Sequence, residues 1–302
     1  GAVEVAAAAF DSDGSGCVCA LVQDITDARR LEAVRRDFVA HVSHELKTPV
    51  GALSLLAETL FAAAGDPDAV VHFAGQVRRE AARLGALIAD LIELSRLQGA
   101  EPLRNPGPVA VRALLGEVLD RARVAAGTAG IALVGADPGD AAVLGSARQL
   151  VTAIGNLVDN AIAYSAPGTK VALGVRTDSD PGARSDGALI GRPIAGPWVE
   201  ISVSDQGVGI AEPDLERIFE RFYRVDQARS RATGGTGLGL SIVKHIVANH
   251  AGAVAVWSVE GAGSTFSLRL PRADPIPPPA PADARGVGAG GASAARGSEG
   301  ER

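Results

Sequence analysis

Between Ala28 and Leu94, apolar residues recur at steps of three or four on either side of one break. Leu31, Val34, Phe38, Val42, Leu46, Pro49, Leu53, Leu56 and Leu60 form the first series; Val70, Phe73, Val77, Ala81, Leu84, Ile88, Leu91 and Leu94 form the second. A strand alternates every two residues, so this spacing is helical. The break is AGDPD, Ala64 to Asp68, where Asp66 suits an N-cap and Pro67 the first helical position. Two long helices with one apolar stripe each make a hairpin, residues 28–100. A lone hairpin leaves its stripe half covered, so dimerisation into a four-helix bundle is the expected completion.

The flanking segments read differently. VEVAAAAF and CVCALVQDI surround the turn DSDGSG and read as two strands of a small sheet, residues 1–27. EPLRNPGP, residues 101–108, reads as a linker. Residues 109–271 mix elements: helices near 109–126, 146–164 and 237–249, and strands near 131–134, 142–144, 170–176, 198–204, 253–258 and 264–270. This pattern predicts an α/β sandwich with a mostly antiparallel sheet, and a surface hairpin extension over 178–197. Residues 272–302 are rich in Pro, Gly and Ala without apolar period and are expected to be disordered.

Composition excludes several classes. Apolar residues make up 47% of the 302, enough for real cores, but aromatics only 4%, so Ala, Val, Leu and Gly must do the packing. Net charge is −6 with no basic stripe, which argues against nucleic acid. Cys17 and Cys19 share a strand face without further cysteines for a zinc site, and read as small buried residues in a reduced compartment. No stretch approaches the ~20 apolar residues of a membrane span, and no signal peptide is visible. The chain has no methionine and starts Gly-Ala-Val, as expected of a piece of a longer protein.

Chemistry concentrates in four places. His44 lies two residues from Val42 and Leu46, about 200° off the apolar stripe and toward solvent. A neutral imidazole there is a competent nucleophile, and Glu45 can accept a proton from one ring nitrogen while the other attacks. An isolated His-Glu pair would be an ordinary surface pair; Leu46, Lys47, Thr48 and Pro49 behind it make it more. Thr48 lies one turn on, its hydroxyl able to act or to bond back to its own helix. His41 shares the face but lacks the acid, and reads as a bystander. Asn156 and Asn160 project the same way from one helix, among apolar neighbours, and amide oxygen suits a hard cation. Asp205, Gly207 and Gly209 form D-x-G-x-G after a strand, a plain turn if it stood alone. Gly234, Gly235, Gly237 and Gly239 open a helix whose N–H groups suit phosphate.

Taken in order, FVAHVSHELKTPVGALSLL, NLVDNA, DQGVGI, IFERFYRVD and GGTGLGLSIVKHI resemble the H, N, G1, F and G2 boxes of the sensor histidine kinases. The resemblance spans roughly Arg29 to Leu270. It implies an α+β chain: a helical hairpin dimerising into a four-helix bundle, then an α/β-sandwich (Bergerat-type) ATP-binding domain. It implies ATP and Mg²⁺ as cofactors, with Asn160 as the magnesium ligand. Asn156, Tyr164, Asp205, Gly207, Gly209, Phe219, Gly235, Gly237, Leu238 and Gly239 would surround the nucleotide. It further implies autophosphorylation of His44, Arg224 approaching the γ-phosphate from a lid over 210–234, and Thr48 positioning water for dephosphorylation. The implied partners are a response regulator and a second copy of the chain, and the implied location is the cytoplasm, with anchoring of the parent protein to the cell membrane's inner face left open. DITDARRLEAVRRDF resembles the exit from a PAS sensor domain. The flank of the H box most resembles phosphate-limitation sensors. One departure is Ala163, where the family often carries a phosphate-contacting lysine. An ATPase of the same nucleotide fold, or a catalytically weak scaffold, are the alternatives.

Overall fold

The computed structural model describes residues 1–12, 15–99, 103, 106–178, 188–191, 194, 196–225 and 235–274. Among the described residues, strands β1 (Val3–Ser12) and β2 (Ser15–Asp24) pair only with each other, antiparallel, with Val3 opposite Asp24. The centre of the DSDGSG turn lies outside the described residues. The pair is tied to the following helix through Thr26. Its hydroxyl donates to Asp24 Oδ1 (2.5 Å) and accepts the Ala2 N–H (2.8 Å). Cys19 is free and exposed, not buried as its residue type suggested; among the described residues β2 is paired with β1 and no other strand. The side chain of Cys17 lies outside the described residues.

Helices α1 (Thr26–Ala62) and α2 (Pro67–Gly99) form the hairpin. Asp66 Oδ1 accepts the N–H groups of Asp68 (3.1 Å) and Ala69 (3.2 Å), satisfying two donors that a helix start otherwise leaves unpaired. Pro49 sits buried inside α1 without ending it. It removes the N–H that the Glu45 carbonyl would accept, a local weakness one turn beyond the exposed histidine. Large apolar side chains remain open to solvent on the hairpin: Leu55 at 64%, Phe61 at 85% and Val71 at 72% exposure.

The second domain is built on a six-stranded sheet. Its strands are β4 (Ala132–Gly135), β6 (Lys170–Thr177), β7 (Ala188–Gly191), β8 (Trp198–Ser204), β9 (Ala253–Val259) and β10 (Gly263–Pro271), in the order β4-β6-β8-β10-β9-β7. Among the described residues, only the β4–β6 pair is parallel. Helices α3 (Val111–Ala129), α4 (Ala147–Tyr164) and α5 (Gly239–Asn249) supply the other layer. Along α4, Leu150, Ile154, Leu157, Val158 and Ala161 are buried at steps of three and four, while inward positions of β8 alternate as Val199, Ile201 and Val203.

Two stretches of the chain depart from the sequence reading. Gly107–Ala110 forms β3, paired antiparallel with β5 (Ala142–Gly145), where a linker and then a helix from residue 109 were expected. The helix therefore starts at Val111. At the other end, the chain stays packed past 271. The Arg272 N–H donates to Pro197 O (3.0 Å), the Ala273 N–H to Ala142 O (2.9 Å), and Ala273 is buried. The rest of the expected tail, 275–302, and most of the expected extension at 178–197 lie outside the described residues.

His250 joins the ends of two helices that frame the site. It is buried; Nδ1–H donates to Ile246 O (2.7 Å) and Nε2 accepts the Ser146 N–H (3.0 Å) just before α4. Burial pulls its pKa below the ordinary 6.5, partly offset by the Ile246 carbonyl. A Cβ at Gly145 would fall 2.2 Å from the ring, so the neighbouring glycine makes room for it.

The domains are docked. Leu87, Leu94 and Leu97 of α2 belong to the same buried cluster as Leu238, Ile242 and Ile246 at α5. Each fully buried leucine contributes roughly 2 kcal/mol. Polar ties flank the seam: Thr236 donates its hydroxyl to Asp90 Oδ2 (2.5 Å), and Arg148 its guanidinium to Glu93 (3.0 Å). Burial pushes the Asp90 carboxyl up, against the pull of the Thr236 hydroxyl, and the Asp159 charge adds to the push.

Candidate functional site

His44 projects from α1 with 78% of its side chain exposed. Glu45 Oε1 stands 3.8 Å from His44 Nδ1, outside hydrogen-bond range but on that nitrogen's side, which leaves Nε2 open. Thr48 donates its hydroxyl to His44 O (3.2 Å), so in this conformation it is spent on its own helix.

A cavity of about 630 Å³ opens in front of His44. His41, His44, Glu45 and Thr48 of α1, Arg83 of α2, and Phe222 and Arg224 of the second domain line it. Arg83 was not singled out by sequence. It lies on α2 as one arginine among many, and only the fold turns it toward the histidine. Its nearest carboxylate is Glu80, at 3.6 Å.

The second group of residues forms a cradle on the sheet domain. Asp205 Oδ1 accepts the N–H groups of Gly207 (2.8 Å) and Ser264 (3.3 Å). Burial raises the Asp205 carboxyl, and these two N–H groups partly reverse that. The loop after it is packed backbone on backbone. A Cβ at Gly207 would lie 2.5 Å from Tyr164 O, and one at Gly209 2.1 Å from Val259 O. Phe219 is buried edge-on against Phe266, centroids 6.3 Å apart.

Asn156 and Asn160 sit one turn apart on α4. The side chain of Asn156 faces Gly239, where a Cβ would lie 3.6 Å from Oδ1. Its Nδ2 is buried with no hydrogen-bond partner among the described residues. A buried orphan donor beside the start of α5 fits a ligand with acceptor oxygens. Leu238 is fully buried and donates its N–H to the Thr236 hydroxyl (3.2 Å). Gly237 has φ +73°, and a Cβ there would lie 2.9 Å from Phe222 Cα. Gly234, with the far part of the lid, lies outside the described residues.

Arg224 joins the two groups. It lines the His44 cavity, and Nη2 lies 3.6 Å from where a Cβ on Gly235 would be, in the glycine-rich loop before α5; the Tyr164 hydroxyl lies 3.9 Å from the same point. Asn156, Asn160 and Asp205 are not among the cavity walls. The arrangement thus presents an open imidazole, a backbone cradle at a helix start, and one guanidinium between them.

Residues 34–100 match the family described as His Kinase A (phospho-acceptor) domain, and 145–274 match Histidine kinase-, DNA gyrase B-, and HSP90-like ATPase. The Sensor-like histidine kinase SenX3 of Mycobacterium tuberculosis (strain H37Rv) is 53% identical over 250 residues, 83% of this chain and 57% of that protein. The Phosphate regulon sensor protein PhoR of Pseudomonas aeruginosa is 36% identical over 249 residues, 82% of this chain and 52% of that protein. The chain therefore spans little more than half the length of these relatives. Among solved structures, the Acinetobacter baumannii histidine kinase AdeS shares the fold, with TM-score 0.54 at 22% identity over 76% of this chain and 97% of that one. Full-length ShkA, solved in complex with AMPPNP, has TM-score 0.51 at 26% identity over 78% of this chain and 46% of its own. Among the described residues, no helix is long and apolar enough to cross a membrane.

Proposed function

The chain belongs to the sensor histidine kinases, and from that premise we propose that it transfers the γ-phosphoryl group of ATP to His44 and then to an aspartate of a response regulator. The observation that carries this reading is Arg224, in the wall of the His44 cavity and beside Gly235 at once.

The chemistry follows from the residues. Neutral His44 attacks through Nε2, the nitrogen away from Glu45. The Nε2–P bond forms as the bond from phosphorus to the β–γ bridging oxygen breaks, and ADP leaves with that electron pair. Glu45, on the Nδ1 side, stabilises the proton held there as the ring becomes cationic. Asp205 reads the adenine amine, Gly207 and Gly209 let the backbone approach the base, and Tyr164, Phe219 and Leu238 pack the pocket. Gly235, Gly237 and Gly239 aim N–H groups at phosphate. Mg²⁺, held by Asn160 beside Asn156, would neutralise phosphate charge. With Ala163 lacking a cation, Arg224 carries more of that task. Such transfer is mainly positioning and electrostatics. Thr48, with its hydroxyl swung outward, would orient water for removing phosphate from the regulator.

We assign the hairpin to homodimerisation, since Leu55, Phe61 and Val71 otherwise face water. Sedimentation at micromolar concentration should give twice the chain mass of 30.6 kDa; a monomer there contradicts the assignment. Strands β1 and β2 read as the end of a PAS-like sensor module, and the likeness to a phosphate regulon sensor supports a phosphate-related stimulus. We place the chain in the cytoplasm.

The pocket is tested by two variants. Asn160→Ala and Asp205→Asn should each cut acid-labile labelling from γ-labelled ATP by more than about tenfold, with circular dichroism unchanged. Wild-type labelling and ATP affinity in both variants would remove the nucleotide from this pocket. ATP hydrolysis without any label would favour a plain ATPase of this fold.

A further inference from the structure

His41 makes contacts that its sequence context does not suggest. Its Nδ1–H donates to Asp37 O (2.8 Å), which fixes the ring's orientation on α1. The ring then stacks on Phe222, centroids 5.7 Å apart and planes 20° apart. Phe38, one turn earlier, meets the same ring at 6.0 Å, and the Arg221 guanidinium lies 5.2 Å over Phe38.

Phe222 is itself held from the nucleotide side. Its φ is +62°, unusual for a residue with a side chain. Its N–H donates to Gly237 O (2.8 Å), inside the glycine-rich loop. One residue therefore touches the phospho-acceptor helix through its ring and the loop through its backbone. Arg224 follows two residues later, and His44 lies one helical turn beyond His41. In a helix, side chains three apart are neighbours.

We propose that His41 is a positioning residue for phosphoryl transfer: its ring, with that of Phe38, seats Phe222 on α1 and so sets where Arg224 stands relative to His44. This rests on the kinase reading above. His41 takes no phosphate itself. What it supplies is a flat face where the phospho-acceptor helix meets the second domain, and small misplacements of a transferring group are costly in rate.

The test measures initial rates of acid-labile labelling against ATP concentration for the full chain. His41→Ala, His41→Phe and His72→Gln are compared with wild type; His72 is exposed on α2 and pairs with Gln76, away from the cavity. His41→Ala should lower kcat about tenfold, with KM for ATP and the melting temperature nearly unchanged. His41→Phe, which keeps a stacking face, should recover most of that loss, and His72→Gln should match wild type. An alanine variant as fast as wild type, or faster, overturns the proposal, as does a phenylalanine variant no better than alanine. A rise in KM alone would move His41's effect to nucleotide binding and equally overturn it. A wild type that takes no label defeats the kinase reading first, and is recognisable as that separate failure.

Discussion

His44→Gln should abolish incorporation of phosphate from ATP, a loss of at least about a thousandfold, while ATP affinity stays within about twofold. The amide has no nucleophilic nitrogen lone pair comparable to that of imidazole, so the reaction is removed rather than slowed. Folding should survive, because 78% of the His44 side chain is exposed and glutamine has similar reach. ATP binding should survive because the residues proposed to hold it, Asn156, Asn160 and Asp205, stand outside the His44 cavity. Gel labelling and a fluorescent-nucleotide titration check the two halves separately. Persistent acid-labile label in the variant would mean that another residue accepts the phosphoryl group.

Gly209→Ala should be the most damaging single-methyl change in the nucleotide domain. Gly209 has φ +71°, and an added Cβ would lie 2.1 Å from Val259 O and 2.7 Å from Val259 C. Those are backbone atoms at the end of β9, held by pairing with β10, so they cannot step aside as a side-chain tip could. Backbone strain plus forced displacement should cost about 2–4 kcal/mol, and ATP binding should be lost with the loop's shape. Gly85→Ala on α2 is the matched control. A Cβ there meets nothing within 4 Å, and alanine in a helix interior should stabilise by ~0.5–1 kcal/mol. Urea midpoints of the two variants measure the contrast. A Gly209→Ala protein within about 0.5 kcal/mol of wild type would contradict the described packing of this loop.

What was legible in the sequence follows how far each signal reaches along the chain. The hairpin was legible because helical spacing repeats over many residues, and Asp66-Pro67 marks the second start with local chemistry. The long strands and α4 were legible for the same reason. Strand β3 was not: at four residues it shows almost no alternation, and what makes it a strand is its pairing with β5, 34 residues along the chain from Val109 to Val143. Likewise, Arg272 and Ala273 are ordered by carbonyls of Pro197 and Ala142, which no local window contains.

Site residues divide along the same line. Short motifs expose glycines and amides whose spacing is itself the signal. The contacts of His41, Arg83, Asp90 and Thr236 depend on how one domain rests on the other, through leucines that read simply as helix stripe. The Thr48 hydroxyl, bonded to His44 O, and Glu45, 3.8 Å from the ring, are details of rotamer that spacing does not specify.

On the proposed function, the phosphoryl group of ATP comes to rest on His44. Wild-type protein labelled with γ-labelled ATP and Mg²⁺, digested at alkaline pH and mapped by mass spectrometry, reads this directly. One modified peptide is expected, carrying HVSHELK, with phosphate on His44 that survives alkali and is lost in acid. Label on His41, on any other residue, or nowhere while ATP is hydrolysed would contradict it.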